Sequence, residues 1–196
     1  IYDNGYVDRD TVTVETDSGV KDLTLYTSDG KVTCVSVNIG HPDFSALSVP
    51  MLTELPEAVM MPLEVGGREY KVTCLSVGNP HCVVFCDRIE NIDIENIGPL
   101  FEYHKVFPER VNTEFVRVVN RNTLKMRVYE RGNGETQACG TGACAAVAAA
   151  VKNGFCNMGE DITVKVLGGD LIVNWSENGI TLTGDTVKVY DGEIEI

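Results

Sequence analysis

No stretch of this 196-residue chain approaches the roughly 18 uninterrupted apolar residues that a membrane-spanning helix requires. The opening residues, IYDNGYVDRDTVTVET, lack a basic segment followed by an apolar one, so a secretory signal is not expected either. Basic residues are scarce: 16 Lys and Arg stand against 29 Asp and Glu, for a net charge of −13. A surface of that sign repels phosphate backbones and anionic lipid, and neither nucleic acid nor membrane is expected as a partner. The seven cysteines, Cys34, Cys74, Cys82, Cys86, Cys139, Cys144 and Cys156, are an odd set, too sparse for a disulfide scaffold. They read as free thiols, and a cytoplasmic location is the matching expectation. No Cys-x-x-Cys pair occurs, and although His81, Cys82 and Cys86 are close together, CVVFC reads as a buried strand, so no metal site is expected. Low-complexity sequence is absent, and the echo of KVTCVSV (31–37) in KVTCLSV (71–77) is not sustained as a repeat.

What the sequence has in quantity is short alternating segments. TVTVE, DLTLY and KVTCVSV read as strands, with Asp29-Gly30 as a hairpin turn between the last two. After a proline-containing passage, 41–62, the strand pattern resumes in YKVTCLSV, CVVFC, EFVRVV and TLKMRVYE. It continues in ITVKVL, LIVNW, ITLTG and TVKVY, with hairpin turns at Gly168-Gly169-Asp170 and Glu177-Asn178-Gly179. Two segments read as helix. One covers roughly 92–103; the other begins near Gly142, runs through ACAAVAAAVKN and stops at Asn153-Gly154. The second is apolar nearly all round, which predicts a helix enclosed by sheet, an α+β architecture.

ERGNGETQACGTGACAAV, 130–147, places Cys139 in a glycine-rich turn just ahead of that helix. Unpaired N–H groups and the positive end of the helix dipole gather there, and both favour thiolate, which predicts a lowered thiol pKa. Gly140, Thr141 and Gly142 leave the backbone bare enough for a carboxylate to reach the same N–H groups. Cys144 falls inside the apolar helix and reads as packing. GTGACA also matches the glycine spacing of a dinucleotide-binding turn, but ETQAC is no strand and parallel βαβ units are missing, so no such cofactor is implied. In GNPHC (78–82), Asn79 and His81 are expected on a strand-to-strand turn, projecting into a cleft, and in NTEF (112–115) Asn112 stands just before a strand.

GNPHCVVF, NTEFV and RVYERGNGETQACGTGACAAV, in that order, with the ending YDGEIEI, make the chain resemble the diaminopimelate epimerases. These are pyridoxal-independent enzymes of lysine and cell-wall biosynthesis. The resemblance spans the whole chain and implies two related lobes, each a sheet wrapped about a central helix, with a cleft between them. It implies chemistry by two cysteines on opposite faces of the substrate α-carbon, one taking a proton and one returning it, with no cofactor. Cys139 matches one of these. Asn79, Asn112, Glu130, Arg131, Gly140 and Thr141 match substrate-binding positions, and His81 a supporting one. The partner implied is a small amino-acid substrate, and the assembly a homodimer.

The family's other cysteine belongs to a glycine-rich turn that would precede Ile1, and no such turn occurs in these residues. The chain is therefore expected to be a C-terminal fragment, one complete lobe plus part of a second. Residues 1–39 with 185–196 would be the remnant of the first lobe, and 40–184 the second lobe carrying Cys139. As a fragment it is expected to be inactive. The alternatives are a proline racemase-type isomerase and a non-catalytic binding domain of the same fold.

Overall fold

A computed structural model describes residues 1–16 and 19–195. Its strands are β1 (Thr11–Thr16), β2 (Gly19–Ser28), β3 (Lys31–Gly40), β4 (Met61–Val65), β5 (Arg68–Ser76) and β6 (Pro80–Phe85), then β7 (Asn112–Asn120), β8 (Thr123–Glu130), β9 (Gly134–Glu135), β10 (Asp161–Val166), β11 (Gly169–Ser176) and β12 (Gly179–Asp185). The helices are α1 (Ile94–Glu102), which follows a 3₁₀ turn at Ile89–Asn91, and α2 (Gly140–Lys152). Among the described residues no helix is long and apolar enough to cross a membrane.

The strands form one sheet in the order β1-β2-β3-β12-β11-β10-β8-β7-β6-β5-β4, with β9 paired to β8. Most neighbours are antiparallel; β6 with β7 and β8 with β10 are parallel. The Asp29-Gly30 turn forms as expected, both residues having positive φ (52° and 75°), which suits the right-handed twist of a two-residue hairpin. Two expectations do not hold. TVKVY forms no strand, since β12 is followed by irregular chain from Thr186 onward. Conversely, the proline-containing passage ends in an unforeseen strand, β4, whose Pro62 sits at the sheet edge, where a missing N–H costs no ladder bond.

Helix α2 is the enclosed one. Gly142 through Ala150 are all buried, and the helix touches β5, β6, β7, β8, β10, β11 and β12. Its alanines let the backbone approach the sheet closely on every side. On this face Val83, Val116, Leu124, Met126, Val128 and Ile162 pack against it. The period of two sends the alternate residues Cys82, Val84 and Phe115 to the opposite face, where Ile94 and Phe101 of α1 cover them. α1 seats on β8 through Gly98, where any Cβ would run into the Tyr129 ring. β1 to β3 contribute only Val12, Leu25 and Ser36 to the buried set. That edge of the sheet has little core of its own.

Candidate active site at the start of the enclosed helix

Helix α2 starts two residues before its expected position, and Cys139 is its N-cap. Its backbone is extended (φ −132°, ψ 109°), and its Sγ accepts a hydrogen bond from the Gly142 N–H at 3.3 Å. A sulfur thus stands where a Ser or Asp oxygen would otherwise satisfy one of the orphan donors of the first turn. The N–H groups of Gly140 and Thr141 have no acceptor among the described residues. The half-buried sulfur faces the positive end of the helix, as the turn predicts.

The predicted lowering of its pKa is overturned. Burial, and after it the charge of nearby Glu114, push the Cys139 thiol up to about 11 from an ordinary 9.0, with Glu130 adding to the rise. The hydrogen bonds from Thr141 and Gly142 pull the other way and are outweighed. A helix end offers only partial charge, while removal from water penalises a full one.

Thr141 Oγ1 lies 3.6 Å from Cys139 Sγ and accepts from Asn79 Nδ2 at 3.3 Å. Asn79 Oδ1 is 2.9 Å from His81 Nε2, and His81 Nδ1 is 2.7 Å from Glu114 Oε1. His81 is not on a turn projecting into a cleft: it lies inside β6 and is fully buried, as is Glu114 in β7. Only Asn79 occupies the turn. Asn112, the first residue of β7 and not the one before it, donates from Nδ2 to Pro80 O (2.8 Å) and accepts at Oδ1 from Arg131 N (3.0 Å). Glu130, at the end of β8, has both carboxylate oxygens engaged, by Thr136 Oγ1 (2.6 Å) and Asn133 Nδ2 (3.2 Å). The Arg131 guanidinium reaches Glu109 O at 3.1 Å.

The fold thus gathers the expected residues at one end of the sheet: Cys139, Gly140 and Thr141 at the helix start, Asn79 and His81 beside it, Asn112 and Glu130 at the ends of β7 and β8, and Arg131 just after β8. Two acids were not foreseen. Glu114 lies within the NTEF segment, and a carboxylate in the middle of a buried strand was the available signal. Glu102, on α1, accepts from Gly132 N at 2.8 Å and so holds the turn after β8. Glycine is required at 142, because a Cβ there would come within 2.9 Å of Glu114 Oε1 and 3.2 Å of Cys139 Sγ. A cavity of about 780 Å³ lined by Arg68, Cys86, Asp93, Ile97, Leu100 and Phe115 opens on the α1 side of the sheet, away from this site.

The arrangement offers a thiol, helix-end N–H groups for a carboxylate, and amides and an acid for an ammonium group. Known proteins match the chain. The family model described as diaminopimelate epimerase matches residues 73–195. A diaminopimelate epimerase of Acetivibrio thermocellus is 45% identical over the whole chain, which spans 70% of that relative, and one of Methanococcus maripaludis is 43% identical over the whole chain and 71% of the relative. Among solved structures, a probable proline racemase from Agrobacterium radiobacter superposes with a TM-score of 0.66 at 17% identity, over 94% of this chain and 61% of that one. A hydroxyproline epimerase from Agrobacterium vitis gives 0.63 at 17%, over 94% and 60%. The chain spans about three fifths of these two structures, and at such identity they establish the fold alone. Identity above two fifths over the whole of this chain, with a family model matching residues 73–195, shows that this chain belongs to the diaminopimelate epimerase family.

Proposed function

We propose that Cys139 is one of two proton-transferring thiols of an epimerase acting on diaminopimelate, converting the LL to the meso isomer in the supply of lysine and peptidoglycan precursors. The observation that carries this reading is the position of Cys139 Sγ as the cap of an enclosed helix, accepting from Gly142 N, with the Gly140 and Thr141 N–H groups open beside it. A substrate carboxylate held by those N–H groups places its α-carbon next to the sulfur, and the same groups stabilise negative charge as it builds on the carboxylate. Asn79, Asn112, Glu130 and Arg131 supply the amides, acid and guanidinium suited to a substrate with amino-acid groups at both ends, and His81 supports Asn79. With its pKa near 11, Cys139 rests as thiol at neutral pH. In the resting state it is the proton donor, and it serves as base only after giving that proton up.

Residues 40–184 are, in this reading, the lobe that carries Cys139, and 1–39 with 185–196 belong to the other. A homodimer is the accompanying assembly; exposed Val20, Tyr26, Val187 and Tyr190 give it apolar surface. The opposite face of the α-carbon needs a second acid or base. Of the other cysteines, Cys74, Cys82, Cys144 and Cys156 are buried, and Cys34 and Cys86 lie on β3 and just after β6. One thiol cannot serve both faces, so the 196 residues alone are expected to leave the stereochemistry of diaminopimelate unchanged. A chimera carrying the preceding segment of the Acetivibrio relative is expected to interconvert the isomers and to incorporate solvent deuterium at the α-carbon. Cys139→Ser in that chimera is expected to cut the rate at least about 100-fold, the scale of a lost acid–base group. Interconversion by the 196 residues alone, or a C139S chimera as active as its parent, refutes the reading. Turnover of proline in place of diaminopimelate would favour the proline racemase-type alternative.

A further inference from the structure

We propose that Glu114 is a positioning residue: it shares one buried proton with His81, and that proton fixes the orientation of the Asn79 amide so that Thr141 is left free to donate its hydroxyl hydrogen to Cys139. The inference rests on the reading of Cys139 given above and extends it to a residue packed behind the thiol turn, against Gly142.

Asn79 is oriented with Oδ1 facing His81 Nε2 at 2.9 Å, and an amide oxygen only accepts, so this orientation requires a hydrogen on Nε2. On the other side of the ring, Nδ1 is 2.7 Å from Glu114 Oε1, a separation that also requires a hydrogen between them. Whether it resides on the ring or on the carboxyl, the pair holds one proton more than neutral histidine beside a bare carboxylate, and its net charge is zero. Burial selects this state. Both side chains have no exposed surface, and Glu114 Oε2 has no hydrogen-bond partner among the described residues, so an uncompensated anion there would lack water and, at Oε2, a donor. The titratable groups whose charges interact with Glu114 are His81 and Cys82 of β6, Glu130 of β8 and Cys139 ahead of α2. His81 is the one among them that can be positive.

The polarity then runs outward. His81 Nε2–H donates to Asn79 Oδ1, which turns Asn79 Nδ2 toward Thr141 Oγ1 at 3.3 Å. With its oxygen already accepting, Thr141 has its own hydrogen available for the sulfur 3.6 Å away. Were the extra proton absent, Nδ1–H would donate to Glu114, and Nε2 would become an acceptor. The Asn79 amide would then have to turn over, and Thr141 would donate to Asn79 and not to sulfur. One proton, in a pair joined to Cys139 by hydrogen bonds through Asn79 and Thr141, thus decides whether the thiolate gains a second donor beside Gly142 N–H.

The test reads the ring and the thiol separately. Nitrogen NMR of histidine-labelled chain at pH 7 is expected to show a hydrogen on His81 Nε2; a bare Nε2 overturns the proposal outright, even if no variant folds. Cys139 alkylation by iodoacetamide at pH 8, followed on its peptide by mass spectrometry, is expected to slow severalfold in Thr141→Val and to recover in Thr141→Ser. Equal rates in all three chains overturn the link to sulfur. Glu114→Gln keeps a donor for Nδ1, and so the polarity of the chain, while removing the nearby charge that helps hold the thiol up, so its alkylation is expected to quicken; a slowing like that of Thr141→Val overturns the proposal. These readouts do not depend on turnover: a bare Nε2 leaves the role of Cys139 standing, and an active C139S chimera removes that role without touching the pair.

Discussion

At residue 139, two opposing effects meet and their sizes decide the chemistry. The cap position supplies one backbone donor and a partial positive charge, yet desolvation and the carboxylates at 114 and 130 carry the thiol to about 11. Gly142 makes this possible, because the space a side chain would need is already taken by Glu114 Oε1 and the sulfur itself. Gly142→Ala is therefore expected to displace one or the other and to destabilise the chain by about 1–3 kcal/mol, as overpacking does in a tight site, with proton exchange in the active chimera falling further than stability does. Urea unfolding beside an exchange assay checks both; a variant of full stability and full exchange contradicts the geometry. The cysteine was legible in the sequence because its glycines and its place before an apolar run are local features. The Glu114–His81 pair was not, because its members are 33 residues apart and meet only through the parallel pairing of β6 with β7.

Helix α2 shows at the level of an element how much a pattern can settle. An alanine-rich segment with no polar face has nowhere to go but inside a sheet, and the sheet does enclose it. Its end was equally legible, since Gly154 adopts the left-handed conformation (φ 76°) that stops the helix, and Asn153 Nδ2 donates to Ala149 O at 2.8 Å. Because the alanines set how near the sheet can come, Ala148→Leu is expected to cost about 1–3 kcal/mol, read as a lower urea midpoint with an unchanged slope. An unchanged midpoint would mean that the core around α2 has room to spare. TVKVY misled because alternation signals a strand only when a neighbour supplies a face to bury against; Val187 and Val189 remain more than four fifths exposed.

For the whole molecule, the buried thiols write a pH dependence. Burial is the first cause of the rise in Cys86 and Cys139, to about 11, and in Cys144, to about 12, from an ordinary 9.0. The folded chain holds these protons more tightly than the unfolded one, so their contribution to stability is complete below pH 9 and is lost as pH rises through 11 to 12. The thermal midpoint is expected to fall steeply above pH 9, and Cys144→Ala to reduce that slope; a midpoint flat from pH 8 to pH 11 contradicts it. By itself the sequence determined most of the strand-and-helix inventory, the hairpin and helix stops, the family and the turn that seats Cys139, since each depends on residues adjacent along the chain. The tertiary structure alone decided that the thiol is held protonated, that His81 is buried with Glu114, and that Thr141 and Asn79 connect that pair to the sulfur. Desolvation and charge pairing are set by distance in space, and strands far apart in sequence become neighbours only once the sheet has closed around its helix.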